Sequence, residues 1–543
     1  MFPTACAYNG MVVTPHRLAS QAGLAVLRQG GNAVEAAVAA AAALCAVYPH
    51  MTGIGGDAFW LILPGPGQNA GAEPVFIDAC GRSALGVSRA WYESRGMTAI
   101  PKRGPGATLT MAGAVSGWQA ALDLAAAWQQ RDCAPLPLET LFADAISHAE
   151  NGFAVSRSQS ELTAAMFSEL ANQPGFARHF LARGQTPPEN SRLALPALAR
   201  TFRRLAEYGL EDFYLGLLAK EMAADLKEAG SPLSFDDFAA HRADIRPPLT
   251  VRLSNARLFN SPPPTQGAAS LAILALLERF REQAGLDLRD ETTLVHALVE
   301  CTKQAFLLRD RHIGDPDHMD RPGQSLLEAE TLAPLAAALA PDKALPWPRA
   351  AVPGGDTVWF GVMDRHGNTV SCIQSVYHEF GSGVVLPQSG IAWQNRGLSF
   401  AFDPGLPNSL APGKKPFHTL NPALALFDDG RILSYGTMGG EGQPQTQAAV
   451  FARYALLGLP LQQAVSAPRW LLGRTWGDSS TNLKLEADLD PAVPLTLRSM
   501  GHVLEVVPPR SIMMGHAGGL VRHPDGLLEG ASDPRSDGTA ACW

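Results

Sequence analysis

What this chain of 543 residues lacks narrows the field first. It has no pair of cysteines at C-x-x-C spacing. The seven cysteines, at 6, 45, 80, 133, 301, 372 and 542, are scattered and odd in number. That argues against a disulfide framework and a structural zinc site, and fits a reducing compartment. It has no excess of positive charge: 43 Lys and Arg stand against 51 Asp and Glu, for a net charge of −8. Nucleic acid and anionic membranes therefore have no electrostatic claim as partners. The opening stretch "MFPTACAYNGMVVTPHR" has no basic residue before Arg17 and no long apolar run. The expectation is no signal peptide and a cytoplasmic location. No run is long enough to span a bilayer. The most apolar one, "AVEAAVAAAAALCAVY" (33–48), is too short, carries Glu35, and reads as a helix buried in a core. No internal repeat is present. At 46% hydrophobic and 17% charged, what remains is a soluble globular protein with one very large core or two to four ordinary ones.

Strand and helix patterns alternate along the chain. "GMVVT" (10–14), "FWLIL" (59–63) and "VFID" (75–78) read as strands, and from about 115 to 230 the spacing is helical. "LTVRL" (249–253) is strand-like. A Pro/Gly loop then opens an apolar helix over 268–280, and another covers roughly 292–309. "APDKALPWPRAAVPGGD" (340–356) has no apolar period and is the best linker. Strand-rich text resumes after it, with a helix near 446–457. A layered α/β (α+β) architecture follows.

Four segments could carry chemistry. "GIGGDA" (53–58) matches a loose dinucleotide-binding pattern, but a helix precedes it and a strand follows, the reverse of the required order. Glycines that let a helix turn tightly into a strand are the better reading. "RDRHIGDPDHMD" (309–320) clusters Asp and His without the spacing of a zinc or calcium site, and a solvated loop is favoured. In "RILSYGTMGGEGQPQTQAAVF", a strand runs into Met438-Gly439-Gly440, and a helix begins near Pro444. This is either an ordinary strand–helix turn or a pair of main-chain N–H groups at a helix N-terminus, the makings of an oxyanion hole. The fourth segment, "GGDTVWFGVMDRHGNTVSC" (354–372), reads as a β-hairpin, yet two glycines and Asp356 lead straight into Thr357 at the head of a core strand. Cutting before Thr357 would give a nucleophile with its own base. An α-amino group has a reference pKa of about 7.7–8.0 and can take the hydroxyl proton directly or through water.

Taken together, these residues resemble the γ-glutamyltranspeptidase family of N-terminal-nucleophile hydrolases over nearly the whole chain. "LASQAGLAVLRQGGNAVEAAVAAAAAL", "TGIGGDAF", "PPPTQG", "LVHALVECTKQAFLLRDRHIGDPD", "FGSGVVLPQSGI", "TMGGEGQ" and "GASDPRSDGTA" follow in family order. The resemblance implies a four-layer αββα sandwich and a proenzyme that cuts itself at Asp356–Thr357. The products would be a large subunit of 1–356 and a small one of 357–543, held together as one compact heterodimer. It implies Thr357 as nucleophile, its freed amine as base, Gly439 and Gly440 as oxyanion donors, and Ser375 as the hydroxyl that supports the nucleophile. No metal or cofactor is implied. The reaction would be attack on an amide carbonyl, release of the amine and hydrolysis of the acyl-enzyme.

The head-group clamp departs from the family pattern. Asp78 stands where γ-glutamyl enzymes carry an arginine for the substrate α-carboxylate, and the only arginine of that segment is Arg82. The acid that holds the α-amino group matches Ser399, and its neighbouring amide matches Arg396. The paired serines match His418 and Thr419. An anion for –NH3+ is gone and a cation has arrived. Arg396, placed by the pattern in a strand after the hairpin, suits a carboxylate in bidentate geometry. The expectation is an amidase for a small carboxylate-bearing amide, as in the oxamate amidohydrolases of purine breakdown or the cephalosporin acylase-like members. A γ-glutamyl hydrolase or transferase is the alternative, and a non-catalytic binding protein a third.

Overall fold

A computed structural model describes residues 3–68, 71–128, 132–347, 356–473 and 480–543, with Asp356 by its backbone alone. Two seven-stranded sheets dominate it. In the first, neighbouring strands run in the order Thr539–Cys542, Gly10–Thr14, Asp356–Asp364, Thr369–Tyr377, Asp57–Leu63, Val75–Ala79, Asp244–Arg246. In the second the order is Ala5–Ala7, Leu528–Ser532, Ala517–Arg522, Ile432–Thr437, Ala423–Phe427, Ala256–Asn260, Leu249–Arg252. Every pairing within the two sheets is antiparallel. Both sheets interleave strands from before and after residue 356.

Burial on both faces sorts the side chains into layers. Met11, Phe59, Leu61, Trp359, Ile373, Leu424 and Leu520 fill the space between the sheets. There the sheets approach closely at glycine: a Cβ on Gly436 would sit 2.1 Å from Trp359 and one on Gly518 2.4 Å from it. The opposite face of the first sheet, with Trp60, Val358, Phe360 and Val362, packs on helices Arg17–Arg28, Ala33–Val47, Ala114–Ala126 and Leu138–Asn151. The outer face of the second packs Ala423, Leu433 and Tyr435 on Gly267–Ala284, Glu291–His312 and Gln443–Phe451. Helix, sheet, sheet and helix make the four-layer αββα sandwich.

The alanine-rich run is the helix Ala33–Val47, buried at every position. Asn32 and Glu35 form a reciprocal capping box, and the second Glu35 oxygen accepts from Leu136 N–H at 2.8 Å. The hairpin closes through "DRHGN". Asp364 Oδ1 accepts from the amides of His366 and Asn368, while Oδ2 accepts from Ala33 N–H and so ties the turn to the buried helix. Among the described residues no helix is long and apolar enough to cross a membrane.

Candidate active site

The first-sheet hairpin places Thr357 deep in the molecule, 1% exposed. Asp356 pairs with Tyr377 and Val358 with Gln374, so the ladder slips between them. Two residues, Ser375 and Val376, stand opposite Thr357 alone. This is a β-bulge on the second strand, the device that re-aims a side chain beside an active site. Ser375 Oγ accepts from Tyr377 N–H at 2.7 Å and closes the bulge. On its other edge Ser375 pairs with Asp57, next to a glycine that the sheet requires. A Cβ on Gly56 would lie 2.0 Å from the Ser375 carbonyl oxygen. Gly354, Gly355 and the end of the linker lie outside the described residues.

The paired glycines follow strand Ile432–Thr437. Gly439 has φ +123° and Gly440 φ +53°, both in the region that L side chains avoid. A short turn over Gly440–Gly442 leads into helix Gln443–Phe451, with Pro444 in its first turn. Among the described residues the Gly439 and Gly440 amides donate no hydrogen bond. Gln266 holds this loop: its Nε2 donates to Gly440 O at 2.8 Å and to Thr419 O at 2.7 Å. Its Oε1 accepts from buried Arg309 at 2.9 Å. Gln266 thus joins the glycine pair to the Thr419 segment. In "PPPTQG" the sequence pattern assigns Gln266 no role. The signal was its place at the mouth of an apolar helix.

Arg396 corrects one expectation. It opens a 3-10 turn, Arg396–Ser399, and is not in a strand. The alternating apolar residues before it are spent on isolated bridges, such as Gly55 to Trp393, so no ladder forms. Its guanidinium is 1% exposed and lies 3.7 Å over the Tyr377 ring. Nη1 donates to Thr419 Oγ1 at 3.3 Å, while Nε and Nη2 have no hydrogen-bond partner among the described residues. No carboxylate lies within salt-bridge distance of it among the described residues, although the buried Asp57 carboxyl acts on it electrostatically. Burial pulls its pKa down to about 10. It remains a cation at neutral pH, with a fork left to fill.

His418 lies close enough for burial and then Arg396 to hold its pKa well below the usual histidine range. It is a neutral imidazole whose Nε2 shares a hydrogen bond with Asp57 Oδ2 at 3.1 Å, and its Nδ1 has no partner among the described residues. Asp57 Oδ1 accepts from Gly81 N–H, Gly113 N–H and Gln394 Nε2. Burial raises Asp57 to about 7 against those donors. No role was given to Asp57 from sequence, because it sits among glycines that read as a turn. Ser399 is half-buried, its Oγ without a partner among the described residues. Asp78 is engaged elsewhere: its Oδ2 pairs with Lys415 Nζ at 2.8 Å and with Arg246, so its charge is balanced locally.

Asp57, Cys80 and His418 are a group that could hold a metal, with donor atoms all within 4.8 Å of one another. Four donors already occupy the Asp57 oxygens, the neighbouring Arg396 and Lys415 add positive charge, and burial pushes the Cys80 thiol well up. That is the chemistry of a hydrogen-bonded carboxylate, not of a cation cage.

One sandwich thus carries a buried threonine opposite a bulge, a glycine pair with left-handed backbone and a buried guanidinium. The sequence profile described as gamma-glutamyltranspeptidase matches residues 19–543. The chain belongs to the γ-glutamyltranspeptidase family. Among curated members, this γ-glutamyltranspeptidase-family protein is 52% identical to the oxamate amidohydrolase proenzyme of Klebsiella pneumoniae, over 98% of each chain. It is 39% identical to the glutathione hydrolase-like YwrD proenzyme of Bacillus subtilis, again over 98% of each. Among solved structures, cephalosporin acylase from Bacillus halodurans superposes with a TM-score of 0.89 at 30% identity, covering 100% of this chain and 97% of the other. The family member described here is a hydrolase of C–N bonds made as a proenzyme.

Proposed function

We propose that the chain cuts itself between Asp356 and Thr357 and then hydrolyses a small carboxylate-bearing amide of the oxamate type, releasing ammonia. The observation that carries this reading is the buried Arg396 guanidinium, with Nε and Nη2 open and no carboxylate paired to it among the described residues. A desolvated cation needs an anion, and a substrate carboxylate supplies one when bound. The similarity to an oxamate amidohydrolase proenzyme supports the same substrate class.

In the first stage Thr357 Oγ attacks the carbonyl carbon of Asp356, the Asp356–Thr357 C–N bond breaks as the hydroxyl proton passes to its nitrogen, and water hydrolyses the resulting ester. Residues 1–356 and 357–543 result as two subunits of one interleaved sandwich. In the second, the new α-amine of Thr357 takes the Oγ proton as Oγ attacks the substrate carbonyl. The negative charge that develops on the carbonyl oxygen falls to the N–H groups of Gly439 and Gly440. Collapse expels the amine, which leaves with the proton from the α-amine, and an ester to Thr357 remains. The same amine then activates water to release the acid. Ser375 steadies the bulge facing the nucleophile. Arg396, Thr419 and His418 receive the carboxylate end, with Ser399 at the rim and Asp78 anchoring Lys415 behind it.

A cytoplasmic, catabolic role in purine breakdown belongs to this reading, and seven cysteines joined in no disulfide suit a reducing compartment. The test is a panel of amides scored for ammonia release, with glutathione and a γ-glutamyl anilide included. Small amides bearing a carboxylate should give the highest kcat/KM. Faster hydrolysis of glutathione than of any of them would overturn the proposal in favour of γ-glutamyl chemistry.

A further inference from the structure

Tyr377 occupies a conformation that bulky residues rarely adopt, with φ +80°. It does so directly across the ladder from Asp356, one side of the bond to be cut. Its amide closes the bulge on Ser375 Oγ at 2.7 Å. Its ring, stacked on His378 with centroids 4.5 Å apart, lies under the Arg396 guanidinium at 3.7 Å. Asn395 locks the two segments together: its N–H donates to Val376 O at 3.2 Å, and its Oδ1 accepts from His378 N–H at 3.1 Å. One residue thus touches both halves of the site, by its backbone and by its ring.

We propose that Tyr377 is a positioning residue with two separable jobs, resting on the self-cleaving amidase reading above. Its left-handed backbone lets the strand carry the extra residue that aims Thr357 at the Asp356 carbonyl. Its ring is the platform that holds the Arg396 fork flat toward the substrate carboxylate. A regular strand residue at 377 would remove the bulge and bring Thr357 back into ordinary register. Loss of the ring would leave a buried guanidinium free to tilt away, since among the described residues its side-chain hydrogen bond is to Thr419.

Substitutions separate the jobs, because asparagine tolerates positive φ and β-branched residues do not. Tyr377→Asn keeps the backbone and loses the ring. It should cut itself near the wild-type rate, followed by gel electrophoresis. Its KM for the best carboxylate-bearing amide should rise about fivefold or more with a smaller change in kcat. Tyr377→Phe keeps the ring and should recover most of that KM. Tyr377→Val should slow self-cleavage about tenfold or more. Wild-type KM in Tyr377→Asn, or wild-type cutting in Tyr377→Val, would overturn the proposal while leaving the amidase reading in place. A wild-type chain that never cuts would overturn both.

Discussion

His418 Nε2 and Asp57 Oδ2 share a hydrogen bond at 3.1 Å, across 361 residues of sequence, with both side chains shut off from solvent. Because burial raises the Asp57 carboxyl to about 7 from 3.8, the folded state keeps a proton that the unfolded state has released between those values. The unfolded state then binds fewer protons, so stability falls as pH rises through that window, by at most about 1.4 kcal/mol per pH unit. Asp57→Asn removes this titration. Urea melts from pH 4 to 7 should show a flatter stability profile for the variant than for wild type, and equal slopes would refute the assignment.

Arg396→Ala should weaken turnover of a carboxylate-bearing amide by well over tenfold, since losing one partner of a desolvated pair costs about 2–5 kcal/mol. Self-cleavage should persist, as seen by two bands on a gel. Arg396→Lys should recover only part, because a point charge does not reproduce the fork. Wild-type kinetics in both variants would place the carboxylate elsewhere.

The same guanidinium sets a pH limit. With its pKa drawn down to about 10, Arg396 is charged through neutral and mildly alkaline conditions and loses its proton above them. KM for a carboxylate-bearing amide should stay flat in this respect up to about pH 9 and climb beyond 10. KM for a neutral amide of the same shape should not climb with it. Parallel curves for the two substrates would contradict the pairing.

Thr357→Ala should remain a single chain without activity, and Thr357→Ser should cut more slowly. N-terminal sequencing of the smaller wild-type band should begin at Thr357. A stable, fully active, full-length wild-type band would exclude the mechanism.

Gln266→Met removes the amide that bridges Gly440 O and Thr419 O while keeping the volume. Misplacing the donor loop by a fraction of an ångström should lower kcat about ten- to a hundredfold. Steady-state kinetics on the best substrate would check it, and an unchanged kcat would show that the loop holds itself.

Local pattern made much of this legible. The period-2 alternation around Val358, Phe360 and Val362 marks the hairpin, because a pleated strand turns successive side chains to opposite faces. An alanine-rich run with no polar face can only be a buried helix. Gly439-Gly440 before Pro444 marks a tight turn from a strand into a helix. Arg396 shows where such reasoning stops. Its apolar neighbours alternate as strand residues do, yet no partner strand is in register there, and the segment becomes a 3-10 turn.

By itself the sequence determined most of the strands and helices, the family, and the threonine at which a nucleophile could be released. These depend on residues close together in the chain. The bulge opposite Thr357, the Tyr377 ring under Arg396 and the Asp57–His418 pair were decided by tertiary structure alone. So was the neutralisation of Asp78 by Lys415 and Arg246, which lie 337 and 168 residues away. Register is a property of two strands and burial a property of the whole sandwich, so neither the aim of the threonine nor the desolvation of the arginine exists until the layers close.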